Sequence, residues 1–273
     1  MDKHLFKNLP GKHRTAYRDY YTSQNLAAVR VGSIIFLVLN VIIRVLYLVF
    51  PISLTRAENF PEFDIANWVF IGSAFVFFII SNFLIEEFRK DKKATAIMSL
   101  FVFGFSLYLI MCGMFSSFIS TGNPRNALLL YLISLVTISV LCVFEYYETI
   151  ILLVSIELLF TSMLIHAHTD PTEMVYNQLV SIILLGGFYW ISRYFFSYKA
   201  NFWMQMNEIQ EKNLEIERGS EFKSQLLGTV AHDLRNPIAA VETLAMMMEM
   251  EDVDADTQDT LNLMKASCIR ART

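Results

Sequence analysis

The chain alternates long apolar runs with short polar stretches, and most runs have the length of a membrane helix. A helix needs roughly 20 residues to cross about 30 Å of hydrocarbon. The predicted spans are residues 31–50, 65–85, 97–119, 126–144, 149–166 and 175–192. Because only the sequence EYYE separates the fourth span from the fifth, we expect a tight turn there; a single very long helix is the alternative.

Beyond Arg193 the chain becomes polar, with an apolar residue at every third or fourth position or a multiple of that spacing. The apolar positions are Phe202, Met206, Ile209 and Ile216. They predict an amphipathic helix that pairs with its twin in a parallel coiled coil. Gly219 and Ser220 are expected to interrupt this helix or to start a new one, because glycine costs about 1 kcal/mol in a helix and serine favours the N-cap.

A further apolar stripe starts at Phe222, and a second helical pattern follows the acidic sequence EDVDADTQD. The stripe comprises Phe222, Leu226, Val230, Leu234, Ile238, Val241, Leu244 and Met248, and the second pattern comprises Leu261, Met264, Cys268 and Ala271. Two helices with one apolar face each are expected to form an antiparallel hairpin, which would dimerise into a four-helix bundle.

These patterns predict an all-α protein in four parts. The predicted parts are a cytoplasmic N-terminal segment at 1–30, a six-helix transmembrane domain at 31–196, a signalling helix with a coiled-coil linker at 197–219, and a dimerisation hairpin at 220–273.

The composition supports the membrane assignment. Hydrophobic residues make up 55% of the chain and charged residues 18%, which is too apolar for an ordinary soluble protein. Lysine and arginine gather before the first span and between the second and third, whereas the other short loops carry only Arg56 and Arg125. The positive-inside rule therefore places both termini in the cytoplasm. The lipid bilayer is an expected partner, and no nucleic acid is expected to bind.

The sequence AHDLRNPI, residues 231–238, carries the most specific chemical signal. At 100° per residue, His232 lies about 200° from Val230 and Leu234, so its imidazole points away from their stripe. The order of histidine, acidic residue, leucine, arginine, asparagine and proline resembles the H-box of sensor histidine kinases of two-component systems. The resemblance covers about residues 220–273.

The resemblance implies a role for each residue of this motif. His232 would be the phosphoacceptor, since a neutral imidazole is a good nucleophile near pH 7. Asp233 would orient the ring or act as a general base. Asn236 would position water for dephosphorylation of the response regulator, and Pro237 would be a hinge because it removes a backbone donor.

The same resemblance implies partners and a cofactor. A homodimer and the receiver domain of a response regulator are expected, in a bacterial cytoplasmic membrane, with residues 31–196 as the sensor region. ATP with Mg²⁺ would bind to a catalytic domain beyond residue 273, because the last glycine of the chain is Gly228 and no glycine-rich ATP motif follows it. We therefore expect the hairpin to be incomplete and the chain alone to be inactive, with no cofactor of its own.

Two charged residues lie inside predicted spans, Arg44 in the first and Glu157 in the fifth. Such residues usually face the interior of a helix bundle, so they would pair with each other or build a signal site. The sequence HAHTD offers His166, His168 and Asp170 as weak metal candidates, but a polar helix end is the favoured interpretation and no metal site is predicted.

Two other classes of function stay open. The chain could be a non-enzymatic membrane receptor or scaffold with a kinase-like dimerisation module, although the intact His232, Asp233, Asn236 and Pro237 favour a working enzyme. It could also be a transporter with a signalling tail, for which Arg44 and Glu157 give little support.

Overall fold

The computed structural model describes residues 11–50, 60–119, 128–166, 171–249 and 254–272. Within these ranges all regular structure is helical, and seven α-helices are present. They are α1 (Gly11–Val49), α2 (Phe60–Asp91), α3 (Ala96–Ile119), α4 (Leu128–Leu141), α5 (Tyr146–His166), α6 (Pro171–Glu249) and α7 (Ala255–Arg272). The predicted all-α class is confirmed.

The chain forms two compact units, Met1–Trp203 and Met204–Thr273. The first contains α1 to α5 and the start of α6, and the second contains the rest of α6 together with α7. From the sequence, the transmembrane domain was expected to end at residue 196 and the coiled-coil linker at residue 219.

Five helices, α1, α2, α3, α5 and α6, contain an apolar stretch of at least 18 residues and could cross a membrane by length and composition. The fourth predicted span corresponds to α4, which has 14 residues and is therefore short of the expected length. Large apolar side chains point outward from the first unit; for example, Leu100 is 71% exposed and Ile183 is 72% exposed. Several long apolar helices with such surfaces fit a multi-pass membrane protein.

The helix boundaries follow from the local sequence. Pro61 is the second residue of α2 and Pro171 the first of α6, where a missing backbone N–H costs nothing. At the end of α2, Lys92 adopts a left-handed backbone with φ of 53°, and its N–H donates to the carbonyl of Phe88 at 2.7 Å. This left-handed residue ends the helix in the manner of a C-cap.

The first unit is built from two closely packed helix pairs, α1 with α2 and α3 with α4. Gly113 on α3 makes the second pair possible, since a Cβ there would lie 2.8 Å from the carbonyl oxygen of Leu130 on α4. Buried apolar side chains of α1 to α6 form one core, which includes Leu26, Phe105, Ile110, Tyr131, Ile138, Ile156, Phe160 and Phe188.

Residues 11–30, assigned from the sequence to a segment outside the bundle, continue the helix of the first span. Their side chains enter the core, since Leu26 and Val29 are completely buried. The apolar side of this stretch carries tyrosines at helical spacing, Tyr17 and Tyr21, which are also buried. The helical bundle of the first unit therefore includes this N-terminal stretch.

A tight turn between the fourth and fifth predicted spans is present, but it lies at residues 142–145, so only Glu145 of EYYE belongs to it and residues 146–148 start α5. The prediction for Gly219 and Ser220 is wrong, since α6 continues through both residues. A single glycine costs only about 1 kcal/mol, and the strong helix formers on both sides, mainly glutamate, glutamine, lysine and leucine, offset that cost.

Candidate functional site

His232 lies on the part of α6 that belongs to the second unit. Among the residues of this unit whose burial is described, the buried ones are Ala245 on α6 and Leu261 and Cys268 on α7. The apolar stripe on α6 is left uncovered in the single chain; Phe222, Leu226, Val230 and Leu234 are all about half exposed or more. A stripe of this length exposed to water marks a surface for association.

The imidazole of His232 contacts the carboxylate of the next residue. Nδ1 of His232 lies 3.4 Å from Oδ1 of Asp233, at the long limit of a hydrogen bond, and both side chains are 72% exposed. When Nδ1 donates to this carboxylate, the proton stays on Nδ1 and Nε2 carries the free lone pair. In that tautomer Nε2 is the ring nitrogen that can act as a nucleophile.

Asn236 follows His232 by four residues on the same helix, so the two side chains lie one turn apart on one face. Pro237 lies inside α6, and the helix continues beyond it to Glu249. Because proline has no N–H, the carbonyl of Asp233 loses its usual helical partner four residues on. The site thus combines a nucleophilic ring, a carboxylate, an amide and an open carbonyl within two helical turns.

No metal centre is formed by the residues that the structure describes, where no group of three or more histidine, cysteine, aspartate or glutamate side chains comes together. Nδ1 of His166 contacts the carbonyl of Ser162 at 2.8 Å, which is local bonding within α5. His168 and Asp170 lie outside the described residues.

Arg44 is not the partner of Glu157, contrary to one of the expectations. Its guanidinium forms an ion pair with the carboxylate of Asp64 on α2 and donates to the Asp64 carbonyl at 3.1 Å. It also lies over the ring of Trp68, 4.4 Å from the ring centre. These contacts tie the end of α1 to the start of α2.

Glu157 lies near the middle of α5 and is held by neutral donors of α6. Its carboxylate accepts a hydrogen bond from Gln178 and another from Ser181 at 2.9 Å. In a helix that crosses a membrane, a charged side chain near the middle costs about 3 kcal/mol, and neutral donors of this kind offset part of that cost. Arg44 and Glu157 therefore belong to separate clusters.

Sequence reasoning missed a set of contacts around the turn between α4 and α5, residues 142–145. Asn25 of α1 donates from Nδ2 to the carbonyl of Val143 and accepts from its N–H. Arg193 of α6, completely buried, donates to the carbonyl of Phe144 at 3.2 Å, and Arg14 forms an ion pair with Glu145 at 2.5 Å. The polar residues at positions 14 and 25 of a helix otherwise rich in tyrosine were the available signal.

The start of α1 also contacts α6 next to this turn. The hydroxyl of Tyr17 donates to the carbonyl of Phe196 at 3.5 Å, and their rings meet edge to face. The Tyr17 ring also packs against Trp203, the last residue of the first unit. The N-terminal stretch thus holds both the α4–α5 turn and the segment of α6 that leaves the bundle.

Comparison with known proteins identifies one segment of the chain. Residues 222–273 match the family described as the His Kinase A (phospho-acceptor) domain. No similar protein was found among curated proteins, and no solved structure matches. The chain thus carries a His Kinase A phospho-acceptor domain at residues 222–273, and this domain supports its recognition as a sensor histidine kinase.

Proposed function

We propose that the chain is the sensor and phosphoacceptor part of a membrane histidine kinase that is phosphorylated on His232 and passes the phosphoryl group to an aspartate of a response regulator. The observation that carries this proposal is the contact between His232 Nδ1 and Asp233 Oδ1 within the matched domain, which leaves Nε2 free on an exposed side chain.

In the first step Nε2 of His232 attacks phosphorus, an N–P bond forms and the bond from phosphorus to the leaving oxygen breaks. ATP bound with Mg²⁺ to a domain outside residues 1–273 would supply the phosphoryl group. The ring gains positive charge as the bond forms, and the carboxylate of Asp233 stabilises the proton that stays on Nδ1. In the second step a carboxylate oxygen of the response regulator takes the phosphoryl group and His232 returns to its neutral form.

Asn236 would serve the dephosphorylation of the response regulator. Its amide lies one turn from His232, so it would orient a water molecule towards a phosphoaspartate bound at the same face. Pro237 would let α6 bend next to the site, so that the kinase and phosphatase geometries could alternate.

A homodimer would complete the site. The uncovered stripe that includes Leu226, Val230 and Leu234 has the spacing of one helix face and would be buried by the same stripe of a second copy. The coiled-coil prediction for Met206 and Ile209 agrees, since both are about half exposed in the single chain. In such a dimer His232 would stay on the outer side, accessible to a catalytic domain and to the response regulator.

The full-length protein in membranes tests the assignment of His232. With labelled ATP, we expect His232→Gln to abolish incorporation of acid-labile phosphate and Asp233→Asn to reduce it strongly. His166→Gln is the matched control, because His166 is also an exposed histidine on a helix. Unchanged labelling in His232→Gln would overturn the proposal.

The dimer is tested by cysteine crosslinking in a background without Cys112, Cys142 and Cys268. Cysteines at the stripe positions Met206 and Ile209 should crosslink readily. Cysteines at Glu208 and Lys212, which form an ion pair on the polar side, should not. Equal crosslinking at both sets would contradict a parallel coiled coil. Both termini are proposed to be cytoplasmic, and reporter fusions at each end would check this.

A further inference from the structure

A shallow, open groove lies between α5 and α6 within the first unit, and it is separate from the phosphoacceptor site. Its volume is about 450 Å³, and its lining includes Ile150, Val154 and Glu157 of α5 and Ile182, Gly186 and Tyr189 of α6. All the lining residues except Glu157, Gly186 and Tyr189 have aliphatic side chains, so the walls are apolar.

Glu157 is the one acidic group in the lining, and no cationic side chain among the described residues pairs with its carboxylate. Its carboxylate bonds to the neutral donors Gln178 and Ser181. The ion pairs among the described residues join Arg14 to Glu145, Arg44 to Asp64 and Lys212 to Glu208, with the further contact of His232 and Asp233, so none of them includes Glu157. In a medium of low dielectric constant, an uncompensated carboxylate strongly favours a positive charge nearby.

The donors also fix the position of the carboxylate. Ser181, which bonds to Oε2 of Glu157, is completely buried and lies 3.3 Å from the hydroxyl of Tyr131. Gln178 bonds to Oε1 of Glu157 and to the hydroxyl of Thr161. A carboxylate held on one side by neutral donors is preorganised for a cation on the side that faces the groove.

We propose that the α5–α6 groove binds a hydrophobic ammonium ligand, with its cationic head at Glu157 and its alkyl chain along the groove towards Tyr189. Tyr189 follows Ser181 by eight residues on α6, which is about 12 Å at the rise of an α-helix and suits an alkyl chain of medium length. A metal ion is a poorer match, because metal ions need several oxygen or nitrogen ligands and the rest of the lining is hydrocarbon. An anion would be repelled by the carboxylate.

Gly186 and Gly187 provide matched variants for the test. A Cβ added at either position meets no atom within 4 Å, so both positions leave room for a side chain to start. Only Gly186 lines the groove. Gly186→Phe should therefore fill the groove, whereas Gly187→Phe should leave it open while adding the same apolar bulk to the same helix.

The experiment measures binding of radiolabelled decyltrimethylammonium to the protein in nanodiscs of zwitterionic lipid, with empty nanodiscs as background. This probe is permanently charged, so its own protonation does not enter. We expect saturable binding to one site per chain, and weaker competition from decanol and decyl sulfate than from the unlabelled ammonium. Glu157→Gln should weaken binding by about 10-fold or more, since it removes the charge and keeps the shape.

The two glycine variants test whether the ligand occupies the groove. Gly186→Phe should abolish saturable binding, and Gly187→Phe should bind as the unmodified protein does. Binding that never saturates, that is equal in Glu157→Gln, or that is lost equally in both glycine variants would overturn the proposal. The binding proposal does not rest on the proposed function, because the assay needs no kinase activity. Failure of binding thus leaves His232 labelling unaffected, and failure of His232 labelling leaves the binding result standing.

Discussion

Asn25 and Val143 form a pair of hydrogen bonds across 118 residues of sequence, with Nδ2 of Asn25 donating to the Val143 carbonyl at 2.7 Å and Oδ1 accepting from the Val143 N–H at 2.8 Å. The asparagine is 3% exposed. The Asn25 side chain therefore supplies the hydrogen bonds that a helix would otherwise give to the backbone of Val143. Val143 lies in the non-helical segment between α4 and α5.

Asn25→Ala should destabilise the first unit. It leaves the N–H and the carbonyl of Val143 without these partners, and each buried unsatisfied group costs about 1–3 kcal/mol. Thermal unfolding in detergent measures the effect. Asn82→Ala is the control, because the hydrogen bond that Asn82 makes within the described part of the chain goes to the Phe78 carbonyl of its own helix. Equal loss in the two variants would contradict a specific role for Asn25.

Gly113→Ala should also destabilise the first unit, by about 1–3 kcal/mol, because overpacking forces helices apart. The added Cβ would lie 2.8 Å from the Leu130 carbonyl oxygen, and backbone cannot move aside as a side chain tip can. Gly104→Ala, on the same helix with no atom within 4 Å, should be neutral or stabilising. The unfolding temperatures of the two variants are the measurement. Equal changes in both variants would contradict the prediction.

The ion pair of Arg44 and Asp64 should contribute a modest coupling energy. The Arg44 side chain is 20% exposed and that of Asp64 is 37% exposed, so solvent screens part of the attraction. A double-mutant cycle with Arg44→Gln and Asp64→Asn should give about 1 kcal/mol. The pair of Lys212 and Glu208, in which the ammonium lowers the pKa of the glutamate, has both side chains more than 60% exposed and should couple less. A larger coupling energy for Lys212 and Glu208 than for Arg44 and Asp64 would contradict this prediction.

Gly219→Ala should stabilise α6 locally by about 0.5–1 kcal/mol, because the position is helical and an added Cβ meets open space. Hydrogen exchange of the amides around residue 219 would show slower opening. Gly228→Ala, in the same helix and equally open, should act in the same direction. Faster exchange in the alanine variant would mean that the chain needs a helix break at this point.

Asn236→Ala should separate the two activities proposed for the site. Phosphorylation of His232 should be retained, since Nδ1 and Nε2 keep their surroundings, whereas dephosphorylation of the response regulator should slow by about 10-fold or more. Phosphate release from a phosphorylated regulator is the measurement. Thr243→Ala, which removes a hydroxyl that donates to the Ala239 carbonyl of the same helix, should change neither rate.

The helices could be predicted because apolar length and helical spacing are local properties of the sequence. The existence of a turn between the fourth and fifth spans, though not its exact place, and the outward direction of His232 also follow from neighbouring residues. The partners of Arg44 and Glu157 could not be found in this way, because only charges inside the spans were compared. Asp64 lies just before the second predicted span, and Gln178 and Ser181 are neutral, so no pattern of charge indicated them. The role of residues 11–30 was missed since their contacts lie more than a hundred residues further along the chain.

The contact of Tyr17 with Phe196 has a consequence for biosynthesis. The two residues are separated by 179 positions, so the start of α1 leaves the ribosome long before its partner on α6 exists. The tyrosines that are buried in the folded unit therefore stay exposed while the intervening helices are synthesised. The N-terminal stretch is therefore the first part of the bundle to be synthesised and among the last to pack. During that interval chaperones or the translocation machinery can bind to it.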